Sequence, residues 1–274
     1  MLANLEDRHY LRYLRMLGIS KQRPGKEYLK RIVSAQASRI PFENISKLFY
    51  KKHLNLKHLL DFELFLEGIE KYGFGGTCYA NNYYLNQLLN WLGFDVKLCG
   101  ADMENPDVHV INIVSIESRE YLVDTGYAAP FSEPLPLHLS DNYTLDMGLD
   151  RYVLKPQLND KSSQIELYRK GELIHGYRIN PKARNINEFQ EVIENSFEDN
   201  ATFMNALLLT RFKKDTFIAI HNKTIIESLG KVWKEYLTYS NEQLATEIYK
   251  WFGIPKTIVL ESIDGLQMQK NGWS

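Results

Sequence analysis

The hydrophobic period of the chain changes at Gly93, and this change limits the folds that the sequence allows. Before Gly93, apolar residues recur at three- and four-residue spacing, which is typical of helices with one buried face. This spacing predicts helices over residues 5–17, 25–36 and 61–71, and a fourth helix that begins at Cys78 and ends before Gly93. Residues 1–92 are therefore expected to form a helical bundle.

After Gly93, short segments rich in β-branched and aromatic residues alternate with turn formers, a pattern that predicts mostly antiparallel strands in a barrel or a sandwich. Residues 132–150, which contain two prolines, are expected to form a long surface excursion. A helical pattern returns at 186–195, and Ser240 is the expected N-cap of a helix over 241–252. The strands are expected at 94–103, 108–116, 121–124, 151–154, 164–168, 173–179, 205–210, 216–221 and 224–227. The predicted fold class is α+β, in three segments: 1–92, 93–185 and 186–274.

The segment from Phe74 to Asn82 carries the first candidate for chemistry. Thr77 is a good N-cap, so Cys78 is expected in the first turn of a helix. The helix N-terminus favours negative charge and therefore the thiolate form of a cysteine. Gly75 and Gly76 lack a Cβ and are expected to leave the approach to Cys78 open. The alternative is that Cys78 is simply a small buried apolar residue, as many free cysteines are.

A second candidate is the hairpin that follows. If Glu117 and Ser118 form a two-residue turn, Ile116 faces Arg119, and His109 and Asp124 lie on one sheet face as diagonal neighbours. Such neighbours are about 7–8 Å apart, within reach of a carboxylate–imidazole contact. A register shifted by one residue would separate them. A lone histidine or aspartate on a strand is more often structural, but with Cys78 the set matches the arrangement in which a carboxylate orients an imidazole and the imidazole activates a thiol.

Composition excludes several classes of function. Lys plus Arg (33) nearly balance Asp plus Glu (34), so no basic excess points to nucleic acid. The seven histidines and two cysteines form no metal-binding spacing, and no segment is apolar for the length of a membrane span. The first residues lack the apolar core of a signal peptide, so a cytoplasmic protein with reduced thiols is expected. The sequence leaves open whether the protein is a monomer or a homodimer.

Four motifs give the chain a specific resemblance. Arg39-Ile-Pro-Phe-Glu-Asn44, Gly75-Gly-Thr-Cys78 with Asn82, His109, and Leu122-Val-Asp-Thr-Gly126 follow one another in the order and spacing of the arylamine N-acetyltransferase family. The resemblance implies a helical bundle, a mostly antiparallel β-barrel and a C-terminal α/β lid, built on a core like that of cysteine proteinases and transglutaminases. It covers residues 5–135 well and the remainder more loosely.

The same resemblance implies a function. Cys78 would be the acetylated nucleophile, His109 its base and Asp124 the residue that orients His109. Acetyl-CoA would be the acetyl donor, and a small aromatic amine, hydrazine or N-hydroxyarylamine the acceptor, in a ping-pong reaction. Further residues are expected to line the acceptor pocket, namely Phe42, Val108, Tyr127, Met103 and Phe131. Asn200 and Thr202 are the candidates for contact with CoA.

The chain also departs from the family pattern. Phe74 stands where the family has an arginine, and Ala80 stands where it has Glu or Gln. In the family that arginine is expected to pair with a buried acidic residue at the position of Glu43. Glu43 therefore needs another partner here, for which Arg39 is one candidate, or must be solvated, because an unpaired buried carboxylate is costly. These departures leave two alternatives open. One is a transglutaminase-like cysteine hydrolase or amide synthase with another acyl donor, and the other is a weakly active or non-catalytic relative.

Overall fold

The computed structural model describes residues 5–213, 216–229 and 232–268. Helices precede residue 92 and strands dominate after it, so the change of period at Gly93 is confirmed. The helices are α1 (Leu5–Leu17), α2 (Lys26–Arg39), α3 (Ile45–Leu54), α4 (Phe62–Tyr72), α5 (Cys78–Trp91), α6 (Gln190–Asn195), α7 (Thr202–Asn205), α8 (Asn241–Phe252) and α9 (Lys256–Ile263), and a 3₁₀ turn (Ile186–Phe189) leads into α6.

The N-terminal helices agree with the prediction except for α3, which the sequence pattern missed. Pro41 ends α2 as expected, but the chain then forms only a two-residue strand, β1 (Phe42–Glu43), before α3 begins. Asn44 occupies the N-cap position of α3 without capping it, because its side chain binds backbone groups of residues 203–208. The Asn44 side chain, which at this position would usually cap the helix, therefore makes tertiary contacts instead.

The larger sheet has eight antiparallel strands. Their order is β5-β4-β3-β2-β9-β8-β7-β6, and the strands are β2 (Asp95–Asp102), β3 (His109–Ile116), β4 (Arg119–Val123), β5 (Leu135–Pro136), β6 (Tyr143–Met147), β7 (Asp150–Leu154), β8 (Ser163–Arg169) and β9 (Glu172–Ala183). Among the described residues β5 and β6 are its edges, so the expected antiparallel barrel is an open, curled half-barrel sheet. The excursion predicted at 132–150 contains β5 and β6, which pattern analysis missed because edge strands are short and half-exposed.

The predicted hairpin is present. Glu117 and Ser118 both have positive φ angles, 50° and 64°, as a type I′ turn requires. Ile116 pairs with Arg119 and Asn112 with Val123, so the register between β3 and β4 is the one that places His109 and Asp124 on one face.

The C-terminal part combines a second antiparallel sheet with the helices α8 and α9. The order of this sheet is β1-β10-β11-β12-β13, and its new strands are β10 (Leu208–Lys213), β11 (Thr216–His221), β12 (Thr224–Leu229) and β13 (Val232–Leu237). The first strand, β1, comes from the N-terminal segment and pairs Phe42 with Thr210. Ser240 caps α8 by accepting a hydrogen bond from the Gln243 amide, as predicted.

One apolar core runs through all three segments of the sequence. A single cluster joins buried residues of α3 and α5 to residues of β2 and β3 and to β10–β12, α8 and α9. Ile45, Val110 and Ile248 are completely buried members of it. The candidate active site lies where these elements meet.

Candidate active site

Cys78 is the first residue of α5, and it is 6% exposed. Thr77 stands at the N-cap position with an extended backbone, but its side chain makes no capping hydrogen bond. A Cβ on Gly75 would lie 1.9 Å from the Pro41 carbonyl oxygen, and one on Gly76 would lie 2.8 Å from the Ala80 Cβ. The two glycines therefore let the cysteine loop pack closely against the segment before β1 and against α5, which corrects the expectation that they keep the approach to the sulfur open.

Glu43 holds the loop before Cys78 in place through hydrogen bonds to backbone amides. Its carboxylate is completely buried and accepts hydrogen bonds from the backbone amides of Gly75 at 3.0 Å and Ser46 at 2.9 Å. Burial raises the pKa of Glu43, and these hydrogen bonds oppose the rise. Arg39 is exposed and donates instead to the Met16 carbonyl, so its proposed pairing with Glu43 is wrong. Phe74 is 1% exposed among aromatic rings in the core.

The hairpin brings His109 and Asp124 into direct contact. The Nε2 atom of His109 lies 2.8 Å from Oδ2 of Asp124, and each residue is 1% exposed. When Nε2–H donates to the carboxylate, Nδ1 is the ring nitrogen that remains for the cysteine.

Asp124 is held by four donors. Oδ2 accepts from His109 and from the Tyr177 hydroxyl at 2.8 Å, while Oδ1 accepts from the Asn82 amide at 2.7 Å and the Gly126 N–H at 3.0 Å. Burial alone would raise the pKa of Asp124, but the charge of His109 and these hydrogen bonds lower it below its usual value. Asp124 is therefore ionised and fixed in orientation.

Cys78 and His109 are in contact. The Cys78 thiol points at the Val108 carbonyl, with 3.9 Å between sulfur and oxygen, immediately before His109 in the chain. Burial lowers the pKa of His109, but the charge of Asp124, the hydrogen bonds to Asp124 and Cys78 and the charge of the sulfur raise it to about 10.

Cys78 and His109 lie on the wall of a cavity of about 280 Å³. Its wall is mostly apolar, with a few polar groups, which is the usual character of a site for a small aromatic ligand. The residues that line it are Phe42, Cys78, Met103, Glu104, Asn105, Val108, His109, Gly126, Tyr127, Ala128, Ile174, His175, Thr202 and Phe203.

Of the residues predicted for binding, the structure places Phe42, Val108, Met103 and Tyr127 on the cavity wall, and Thr202 at the same cavity. Phe131 is 2% exposed behind Tyr127 in the core of the larger sheet, because its ring turns toward Tyr152. Asn200 is exposed and does not line the cavity; its carbonyl accepts a hydrogen bond from the Asn205 side chain.

Sequence analysis missed three groups of the site. Tyr177 binds Asp124, His175 lies 2.6 Å from the Tyr127 hydroxyl, and Phe203 lies against Phe42. Burial and the positive charge of His109 lower the pKa of His175 to about 4. Tyr177 and His175 are two residues apart on β9 and so share a face, but only the pairing of β9 with β2 shows that this face points at the site.

In the part of the chain that the structure describes, no group of three or more His, Cys, Asp or Glu could hold a metal ion. None of the described helices has both the length and the apolar character needed to cross a bilayer.

The fold and the site define a class of protein: an α+β protein in which a helix-start cysteine meets a buried histidine–aspartate pair on an antiparallel sheet. A family model described as N-acetyltransferase matches residues 27–258. The chain therefore belongs to the arylamine N-acetyltransferase family.

Proteins similar to this chain are found both among curated relatives and among solved structures. The chain is 31% identical over 132 residues to the proansamycin X synthase of Amycolatopsis mediterranei, covering 39% of this chain and 50% of that one. It is 27% identical over 146 residues to an arylamine N-acetyltransferase of Gallus gallus, pineal gland isozyme NAT-3, covering 50% and 49%. It is 33% identical over 119 residues to an N-malonyltransferase of Fusarium pseudograminearum, covering 37% and 34%. The chain thus spans half or less of the length of these relatives.

The fold comparison extends over nearly the whole chain. The arylamine N-acetyltransferase from Salmonella typhimurium superposes with a TM-score of 0.77 at 17% identity, covering 94% of this chain and 98% of that one. The Mycobacterium marinum enzyme in complex with CoA gives a TM-score of 0.76 at 18% identity, covering 93% and 98%. At this level of identity the likeness shows the fold alone.

Proposed function

We propose that the protein transfers an acetyl group from acetyl-CoA to the nitrogen, or N-hydroxy oxygen, of a small aromatic amine or hydrazine, through an acetyl-Cys78 intermediate. The observation that carries the proposal is the contact of Cys78 with a buried His109–Asp124 pair at the wall of an apolar cavity. Family membership and relatives named as arylamine N-acetyltransferases support the same reaction.

In the first half-reaction, the Cys78 thiolate attacks the thioester carbonyl of acetyl-CoA. The tetrahedral oxyanion lies near the first turn of α5, whose backbone N–H groups lack partners within the helix. One such donor contributes about 3 kcal/mol to stabilising an oxyanion. The C–S bond to CoA then breaks, and His109 gives its proton to the departing thiolate.

In the second half-reaction, the acceptor nitrogen attacks the acetyl-Cys78 carbonyl. Its lone pair is available because aromatic amines are weak bases. His109, now neutral, takes the proton that the nitrogen loses, and the Cys78 thiolate leaves. Asp124 keeps the same ring nitrogen of His109 directed at the sulfur in both halves. Phe42, Tyr127 and Phe203 would hold the acceptor ring against the reacting carbonyl.

A second candidate is the transfer of another acyl group, including use as an amide synthase. Relatives named proansamycin X synthase and N-malonyltransferase favour it. The wall of the cavity argues against a carboxylated acyl group. Among its described residues Glu104 is the only exposed charged side chain, and none is Lys or Arg. A malonyl carboxylate would therefore meet the Glu104 carboxylate, while His109, the cation on this wall, is already paired with Asp124.

The direct test is intact-mass analysis of the protein after incubation with acetyl-CoA and, separately, with malonyl-CoA. The proposal predicts one acetyl adduct on the wild type, none on Cys78→Ala, and little malonyl adduct. Cys99 is completely buried, so Cys99→Ala is the matched control and keeps the adduct. An equal adduct on Cys78→Ala, or no adduct on the wild type, would rule the proposal out.

A further inference from the structure

Asp107, two residues before His109, has an unusual backbone. Its φ angle is +58°, in the left-handed region that residues with a Cβ seldom adopt. Its carboxylate lies over Gly100 on β2, where a Cβ would come within 2.2 Å of Asp107 Oδ1. Aspartate adopts this region more readily than most residues with a Cβ, and here hydrogen bonds to its N–H, carboxylate and carbonyl hold it in place.

Contacts from three other parts of the chain fix Asp107. Its N–H donates to Asp102 Oδ1 at 2.9 Å, and its carboxylate accepts from Arg184 Nη1 at 3.2 and 3.3 Å. Its carbonyl accepts from the Tyr79 hydroxyl at 2.7 Å. Burial raises the pKa of Tyr79, so this hydroxyl stays protonated and remains a donor.

Arg184 is itself anchored, and is not a free surface charge. Its side chain is 17% exposed, its Nε donates to Glu188 at 2.7 Å, and its backbone N–H donates to the Leu98 carbonyl at 2.8 Å. The guanidinium also lies over the Phe189 ring, 4.8 Å from the ring centre. Arg184 therefore connects the 107–109 loop to β2 and to the start of the 3₁₀ turn.

Three consecutive residues of this loop contact the first two residues of α5. The Asp107 carbonyl binds Tyr79, the Val108 carbonyl accepts from the Cys78 thiol, and His109 contacts the Cys78 sulfur. A shift at Asp107 would therefore move His109 relative to the sulfur. A misplacement of about 1 Å in a reacting pair can lower a rate by about a hundredfold.

We propose that Asp107, anchored by Arg184 and Tyr79, is a positioning residue that sets the distance and orientation of His109 relative to Cys78. The inference rests on the proposed function in taking Cys78 and His109 as the reacting pair. It concerns how the pair is placed, and it can be measured without acetyl-CoA.

The experiment measures the rate at which iodoacetamide alkylates Cys78 across the pH range. Peptide mapping verifies that Cys78 is the alkylated residue. Arg184→Met and Tyr79→Phe remove the two anchors. Arg178→Met is the matched control, because Arg178 is on β9, close in sequence, and its exposed side chain pairs with Asp160 and Ser162. We expect alkylation at neutral pH to slow about tenfold in Arg184→Met and several-fold in Tyr79→Phe, with a changed pH profile, and to stay within about twofold in the control.

A purely structural role would lower the melting temperature and leave the alkylation rate of the folded protein unchanged. A lower melting temperature with an unchanged alkylation rate in both variants would overturn the inference. If Arg184→Met fails to fold, Tyr79→Phe decides, because it removes only one hydroxyl. Slower alkylation in a protein whose wild type gains no acetyl adduct would contradict the proposed function and leave the positioning role intact.

Discussion

At the residue scale, the site depends on Asp124 accepting from four donors at once. A carboxylate has acceptor positions for all four, whereas an amide has one oxygen and an NH₂ group that is itself a donor. The sequence predicted that Asp124 and His109 lie on one sheet face as diagonal neighbours, because the hairpin turn is encoded locally at Glu117-Ser118. It did not predict Tyr177 or Asn82 as further donors, since these contacts need the packing of β9 and α5 against the sheet.

Asp124→Asn is expected to lower acetyl transfer on the order of 10⁴-fold, because the tautomer and orientation of His109 are no longer fixed. It should also lower the free energy of unfolding by about 1–3 kcal/mol, since the new NH₂ group faces at least one buried donor. Turnover and urea unfolding measure the two effects. Asp146→Asn, the same change at an exposed aspartate that pairs with Arg151, is the control and should leave turnover and stability nearly unchanged. Near-normal turnover in Asp124→Asn would assign the orienting role to another group.

The raised pKa of His109 gives the stability a pH dependence. A group whose pKa is higher in the folded than in the unfolded state stabilises fully below the unfolded value, 6.5, and loses that contribution as pH rises toward about 10. The stability difference between the wild type and Asp124→Asn should therefore shrink between these pH values. Groups common to both proteins cancel in the difference. A difference that stays constant or grows would contradict the ionised pair.

At the element scale, the short strand β1 and Asn44 join the N-terminal helices to the C-terminal sheet. The completely buried Asn44 side chain donates to the Phe203 and Ala206 carbonyls at 2.9 and 2.7 Å and accepts from the Leu208 N–H at 2.9 Å. Long helices and the hairpin could be predicted because their signals are local. The short elements β1, α3 and β5 could not, because they exist through such distant contacts.

Asn44→Ala is expected to lower the free energy of unfolding by about 3 kcal/mol, since it leaves buried backbone groups without partners. It should also weaken acceptor binding, because Thr202 and Phe203, next to these contacts, line the cavity. Denaturant unfolding and the KM for the acceptor measure the two effects. The exposed Asn195 provides the control: Asn195→Ala should change stability by no more than about 0.5 kcal/mol. Equal effects in the two variants would contradict this role of Asn44.

At the scale of the whole molecule, the three sequence segments share one core, and we propose that they act as one unit. The boundaries predicted near residues 92 and 185 follow changes of pattern along the chain, but the same apolar cluster crosses both. Composition and period cannot reveal this, because a pattern shows that a face is buried without showing against what. The strands β10, β11 and β12 were predicted from their local pattern, but the open edges of the larger sheet and the pairing of β1 with β10 were not, for the same reason.

The substitution Ile248→Ala, in the C-terminal segment, tests whether the three segments unfold as one unit. Ile248 is completely buried on α8, and its truncation should cost about 2–5 kcal/mol. The wild type and the variant should each show one thermal transition, with far-UV circular dichroism and exposure of Cys78 changing together. Tyr249→Ala, an exposed neighbour on the same helix, should leave the midpoint nearly unchanged. Two separated transitions would contradict a shared core.

In the proposed reaction, acetyl transfer passes through Cys78. This is tested by acetylating the protein with acetyl-CoA, removing all CoA by desalting, and adding an aromatic amine. We expect the adduct on Cys78 to disappear while one equivalent of N-acetylated amine forms. An adduct that persists in the presence of the amine, or product that forms only when acetyl-CoA is present together with the amine, would contradict it.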